Sequence, residues 1–320
     1  MHRDTSALSF ADAMVGEKGR NASLERISQV VDWTRIAAVV GDLHAAPEGR
    51  PSYPPLAMVK ALLLGHWYQL SDEGLEQALQ DRLSFLRFCG FGVDEQTPDR
   101  NTIWRFRRLL AQGGLEQALL TEACRQLDAH QLVLKKGTLL DATLVQAQAA
   151  RPKRGKNGAA GVSKVDPDAR WTKKYGKFHF GYQAHIGVDE DSGLIRKAEL
   201  RPANVNESAV ADDLVSGDEQ AVYADKAYEN KHRRQWLKER GIKDRIMHRS
   251  HKNQPELPRW QRRRNELIKP IRRKVEKVFG TLKRSYRYTR VRFYSLKSNT
   301  VDLCLLAIAY NLKRAVVLLA

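Results

Sequence analysis

Three acids stand out in this sequence by where they fall. Asp141 interrupts the strand-like run Thr138 to Val145, Asp225 follows the apolar run Ala221 to Ala224, and Glu276 lies inside a strongly basic stretch. Carboxylates brought close together raise each other's pKa and oppose ionisation, so a fold that gathers them needs a compensating cation. Oxygen donors with few soft ligands nearby select Mg²⁺ or Mn²⁺ rather than zinc. The chemistry predicted is phosphoryl transfer on DNA by in-line displacement. Two metal ions are expected, bridged by Asp141 and held further by Asp225 and Glu276.

Each acid also has a plainer reading. Glu276 could form surface ion pairs with Arg272 and Arg273 one turn before it, which contribute only about 0 to 1 kcal/mol when exposed. Between Arg259 and Lys297, however, fifteen lysines and arginines face only Glu266 and Glu276. One acid among so many cations is better explained by a metal than by charge balance. Asp225 could pair with Lys226, but adjacent strand residues point in opposite directions. Arg272 and Lys283 share a helical face with Glu276, so that face can grip phosphates beside the scissile one, or can simply be solvated. Lys226 joins them as an expected DNA contact.

Composition favours the same partner. A formal charge of +18 and a pI near 9.9 over 320 residues suit a polyanion, of which nucleic acid is the commonest. The three cysteines are widely spaced and include no Cys-x-x-Cys pair, which argues against a disulfide framework or a zinc ribbon and fits a reducing cytosol. The N-terminus lacks an apolar signal core, and Leu56 to Leu70 is too short and too polar to span a bilayer. The location expected is the cytoplasm, in contact with DNA and with no membrane partner.

The elements that must position the acids follow from periodicity. From Ser23 to His130 apolar residues recur at helical spacing, with Ser71 and Ser84 as expected N-caps and Gly90 as a helix end. This predicts an all-α domain over residues 1–130. Within it, Ile103 to Arg108 has one apolar and one basic face, so Arg105 and Arg108 either meet DNA or form a solvated face over a core helix. From Val133 the period becomes two. Strands are expected over 138–145, 177–188, 194–200, 221–224 and 242–247, with helices beginning near Asn206, Glu229 and Pro270. The polar, Gly-rich and basic stretch 151–168 is expected to be a loop that orders on DNA. The order strand, strand, strand, helix, strand, helix, strand, helix matches a ribonuclease-H-like α/β layer, which puts the catalytic domain at 131–320.

Three motifs then carry a family likeness: Asp141-Ala142-Thr143; Ala224-Asp225-Lys226-Ala227-Tyr228; and Arg272, Glu276 and Lys283 at the spacing Arg-x3-Glu-x6-Lys. In this order the chain resembles the Asp-Asp-Glu transposases of bacterial insertion sequences. It departs from them at Lys269, where the family has a tyrosine, and at Ala227, where it has a glycine. The resemblance implies a transposase that cuts at the terminal inverted repeats of its own element and joins the freed 3′-OH ends to target DNA. Since two ends must be held together, a homodimer or larger assembly on double-stranded DNA follows. Two rivals remain: a ribonuclease-H-like nuclease that cleaves without joining, and a non-catalytic DNA-binding regulator derived from such an element.

Overall fold

The computed structural model describes residues 2, 18–41, 43, 51–153, 161–174, 176–250 and 255–320. Residues 154–160 of the expected loop lie outside the described residues. The chain forms two compact units: residues 1–127 with 304–320, and residues 128–303. The sequence reading put the division after residue 130 and placed the C-terminal segment with the second unit. Among the described residues no helix is long and apolar enough to cross a membrane.

The first unit is helical: α1 (Ala22–Val30), α2 (Trp33–Val40), α3 (Pro55–Trp67), α4 (Asp72–Asp81), α5 (Leu83–Cys89), α6 (Arg100–Gly113) and most of α7 (Glu116–Ala129). Helix α3 begins with a proline, whose missing N–H costs nothing there, and buries side chains all round, so it forms the centre of this unit. Trp67 at its end donates its indole N–H to the Ala309 carbonyl at 2.8 Å. Ser71 caps α4 as expected, accepting from Gly74 N at 3.0 Å, and Gly90 ends α5 in the left-handed region. Ser84 does not cap α5, because that helix starts one residue earlier at Leu83. Inside α6, Arg107 is buried and grips Asp72 through two hydrogen bonds of 2.9 and 2.7 Å.

The second unit is built on a mixed sheet. Its strands are β1 (Thr138–Gln146), β2 (Arg170–Lys174), β3 (Lys177–Asp189), β4 (Ile195–Pro202), β5 (Ala221–Ala224) and β6 (Lys243–Ile246). β3 runs antiparallel to β1 along one edge, while β2 and β4 occupy successive stretches of its other edge. β5 lies parallel to β1, and β6 parallel to β5. This is the ribonuclease-H-like arrangement expected from the sequence, with β2 as an addition. The sequence reading missed β2 because Arg-Trp-Thr-Lys-Lys has no apolar alternation; charged residues on an edge strand oppose edge-to-edge pairing. Where β3 meets the end of β1, Gly181 has φ +153°, and a Cβ there would stand 2.3 Å from the Val145 carbonyl oxygen. Only glycine allows that approach.

The helices of this unit are α8 (Glu207–Val210), α9 (Lys231–Glu239), α10 (Arg259–Arg272), α11 (Lys274–Ser285) and the start of α12 (Leu296–Leu318). Short 3-10 turns follow α8, at Asp212–Leu214, and β5, at Lys226–Tyr228. Leu140, Val222, Tyr228, Leu237 and Ile246 form one fully buried core, each apolar side chain there contributing about 1.5 to 3 kcal/mol. The single basic helix expected from about Pro270 is instead two. α10 starts at Arg259 and carries Pro270 in its last turn, and the axis breaks at Arg273 before α11 begins.

Candidate active site

Strand register decides where the first two acids meet. β1 and β5 pair in parallel from Thr138 with Val222 to Leu140 with Ala224, and there β5 stops. Asp141 and Asp225 are the next residues on each strand. Parallel neighbours lie about 4.8 Å apart, so the two backbones deliver their acids side by side at the carboxyl end of the strands. Ligand sites of open α/β sheets form at such ends. Beyond Leu140, among the described residues, no strand pairs with β1 on its β5 side, and Gln146 bonds with Thr289 and Val291. The third acid arrives from α11, which packs against β1.

Asp141, Asp225 and Glu276 line one cavity of about 1040 Å³, together with Arg272, Lys283, Lys174 and Glu207. Asp141 Oδ1 accepts from its neighbour's N–H at Ala142 (2.9 Å), and Oδ2 lies 3.2 Å from Arg272 Nη2. The same nitrogen lies 3.5 Å from Glu276 Oε1. The Asp141 and Arg272 side chains are each 16% exposed, whereas Glu276 is 58% exposed. Asp225 Oδ1 accepts from the Lys226 N–H at 2.7 Å, which starts the 3-10 turn.

Burial raises the Asp141 carboxyl above the ordinary aspartate value; the Arg272 guanidinium and the Ala142 N–H pull it back, and the charge of Glu207 adds to the rise. Burial also lowers the Lys283 ammonium, helped by the nearby Lys174 cation and opposed by Asp141. The Tyr228 hydroxyl is buried with no hydrogen-bond partner among the described residues. Burial first, then the charges of Glu207 and Asp141, lift its pKa well above that of a free phenol.

The sequence reading expected the acids to converge on cations. They share a cavity, yet among the described residues no three His, Cys, Asp or Glu side chains form a ready-made metal cluster. Instead the guanidinium of Arg272 sits between Asp141 and Glu276, supplying the positive charge that closely set carboxylates require. The donor set nevertheless fits a hard divalent ion, since carboxylate oxygens dominate and the cavity is roomy.

Lys226 is exposed beside a second cavity, of about 370 Å³, which Asp225, Arg272 and Glu276 also line. Arg105 and Arg108 belong to the other unit, both exposed on α6, with the Arg108 guanidinium 4.8 Å from the centre of the Trp104 ring. His179 lines the larger cavity, while His185 is fully buried and, among the described residues, neither ring nitrogen has a hydrogen-bond partner. The sequence reading missed Lys174, Glu207 and the placement of Tyr228. Asn206-Glu207 did carry a local signal, an N-cap followed by an acid in the first turn, but no such pattern marks Lys174.

Comparisons with known proteins bear on the family. Residues 134–312 match the family described as the transposase DDE domain, and residues 13–109 match one described as a transposase domain. Among solved structures, the chain is similar to the piggyBac transposase synaptic complex with hairpin DNA, at 9% identity and a TM-score of 0.44, covering 90% of this chain and 71% of that one. The match over residues 134–312 spans both aspartates, the glutamate and every strand of the sheet. The chain belongs to the transposase DDE-domain family.

Proposed function

We propose that this protein binds the terminal inverted repeats of its insertion sequence, cleaves at the element ends and joins the freed 3′-OH ends to target DNA. One observation carries the reading: the parallel register that sets Asp141 beside Asp225, with Glu276 on the same cavity. Asp141, Asp225 and Glu276 are the catalytic acids and the residues that would hold Mg²⁺ or Mn²⁺, two ions in the working complex. Such ions, when bound, activate the attacking hydroxyl and stabilise the charge that develops on the scissile phosphate.

The chain's own residues do the rest. Arg272 keeps the acids assembled before DNA arrives and, with Lys283, faces the phosphates beside the scissile one. Lys226 contacts the backbone from the adjoining cavity. Exposed Arg105 and Arg108 hold the element end through the helical unit, and base reading falls to that unit as well. Affinity rests on phosphate neutralisation, consistent with the charge of +18. Two ends must be held at once, so the working form is a dimer or larger assembly on DNA, acting in the bacterial cytoplasm at the nucleoid.

Asp141→Asn tests the proposal, because it removes one charge at nearly constant volume. In a strand-transfer assay with labelled element ends and Mg²⁺, cleavage and joining should fall by at least about a thousandfold, roughly 4 kcal/mol of barrier, while end binding persists. Wild-type turnover in that variant rejects the assignment.

A further inference from the structure

The cavity contains a fourth carboxylate that the proposed chemistry leaves without a task. Glu207 opens α8, whose first turn is fixed by Asn206 Oδ1 accepting from Ser208 N at 2.9 Å. The Glu207 side chain is 20% exposed. Its Oε1 accepts from Gln183 Nε2 at 2.6 Å and from Lys174 Nζ at 3.2 Å. Both donors converge on that one oxygen, and Oε2 has no hydrogen-bond partner among the described residues. A carboxylate fastened by one oxygen and open at the other is oriented as a ligand would be. Salt bridging alone would not need the buried amide of Gln183 as a second anchor.

Tyr228 supplies an independent sign. Its hydroxyl is wholly buried and unpartnered among the described residues, and the acids whose charges act on it are Glu207, Asp141 and Asp225. Leaving such a group unsatisfied costs about 1 to 3 kcal/mol, and those acids are three of the ones that line the cavity.

We propose that Glu207 is a further carboxylate of the divalent-cation site, presenting Oε2 to the cation, with Lys174 and Gln183 as the residues that position it. This rests on the reading of Asp141, Asp225 and Glu276 given above. Lys174 then has a second consequence: its positive charge opposes cation binding in the free protein, and it is near enough to the cavity to move to a DNA phosphate.

Binding of Mn²⁺ to the full-length protein without DNA, read from the electron-spin-resonance signal of the free ion, tests the assignment apart from catalysis. Glu207→Gln keeps the acceptor for Lys174 and Gln183 but removes the charge, and should weaken Mn²⁺ binding about tenfold or more, as should Asp141→Asn. Wild-type affinity in Glu207→Gln beside weakened binding in Asp141→Asn overturns the role of Glu207 and leaves the proposed function standing. Wild-type affinity in both variants, or no saturable binding in the wild type, sinks the cation site itself and this inference with it. Should Glu207→Gln not fold, Gln183→Met decides the matter: it removes one anchor of Glu207 at similar volume and unchanged charge, so Mn²⁺ affinity should fall severalfold, and unchanged affinity overturns the proposal.

Discussion

Removing the Arg272 guanidinium should expose how the acids are held without metal. Its Nη2 lies 3.2 Å from Asp141 Oδ2, a separation worth about 5 kcal/mol of attraction at an effective dielectric constant of about 20. Desolvation of both ions offsets much of this, and breaking a fully buried pair by deleting one partner costs about 3 to 5 kcal/mol. Both side chains here keep 16% exposure, so Arg272→Gln should destabilise the second unit by about 2 to 3 kcal/mol at pH 7.5. For a unit of this size that corresponds to a fall in Tm of about 5 to 10 °C.

The loss should depend on pH in a definite direction. The folded Asp141 carboxyl already sits above 3.8, so the cost of ionising it appears as pH rises past the unfolded value and is complete above the folded one. Arg272 reduces that cost, and without it the carboxyl rises further. The gap between wild type and variant therefore opens as pH rises and narrows as pH falls through the folded carboxyl's range, where protonation removes the charge that Arg272 pairs with. In an Asp141→Asn background, Arg272→Gln should cost under about 1 kcal/mol, since the coupled partner is gone. Calorimetric melting of the wild type, both single variants and the double variant at pH 4.5 and 7.5 measures all of this. A gap that does not change with pH, or strictly additive single and double variants, would refute the placement of Arg272 as the counter-ion of Asp141.

Two other substitutions probe the scaffold and the helical unit. Gly181→Ala should lower stability by about 2 kcal/mol or more in urea denaturation, because the backbone lies at φ +153° and the new methyl would meet Val145 O at 2.3 Å. An unchanged midpoint would mean that β3 does not cross the end of β1 as described. Arg105→Ala and Arg108→Ala should each weaken binding to element ends and reduce the log-log salt slope by about 0.9, measured by fluorescence anisotropy across a salt series. A slope that stays at the wild-type value removes those residues from the phosphate contacts.

Much of the candidate site was legible in the amino-acid order because its signals are local. An acid inside an apolar period-two run, as at Asp141, is costly enough to mark itself. The spacing of Arg272, Glu276 and Lys283 survives the break at Arg273, since Arg272 and Glu276 still meet across it. A period of two likewise identified β1 and β3, and the short apolar run Ala221 to Ala224 identified β5.

Tertiary structure decided what depends on distant partners. That Leu140 pairs with Ala224, and so brings Asp141 level with Asp225, is a matter of register between segments more than eighty residues apart. β2 exists because β3 offers it an edge, and residues 304–320 belong with the first unit although they follow the second in the chain. Glu207 and Lys174 entered the cavity by the same route, because a polar residue at a helix start or in an edge strand looks alike in sequence whether it faces water or a cavity. Residue type and period are properties of a few neighbouring positions, whereas register, shared cavities and the placing of one guanidinium between two acids arise only when separate segments pack.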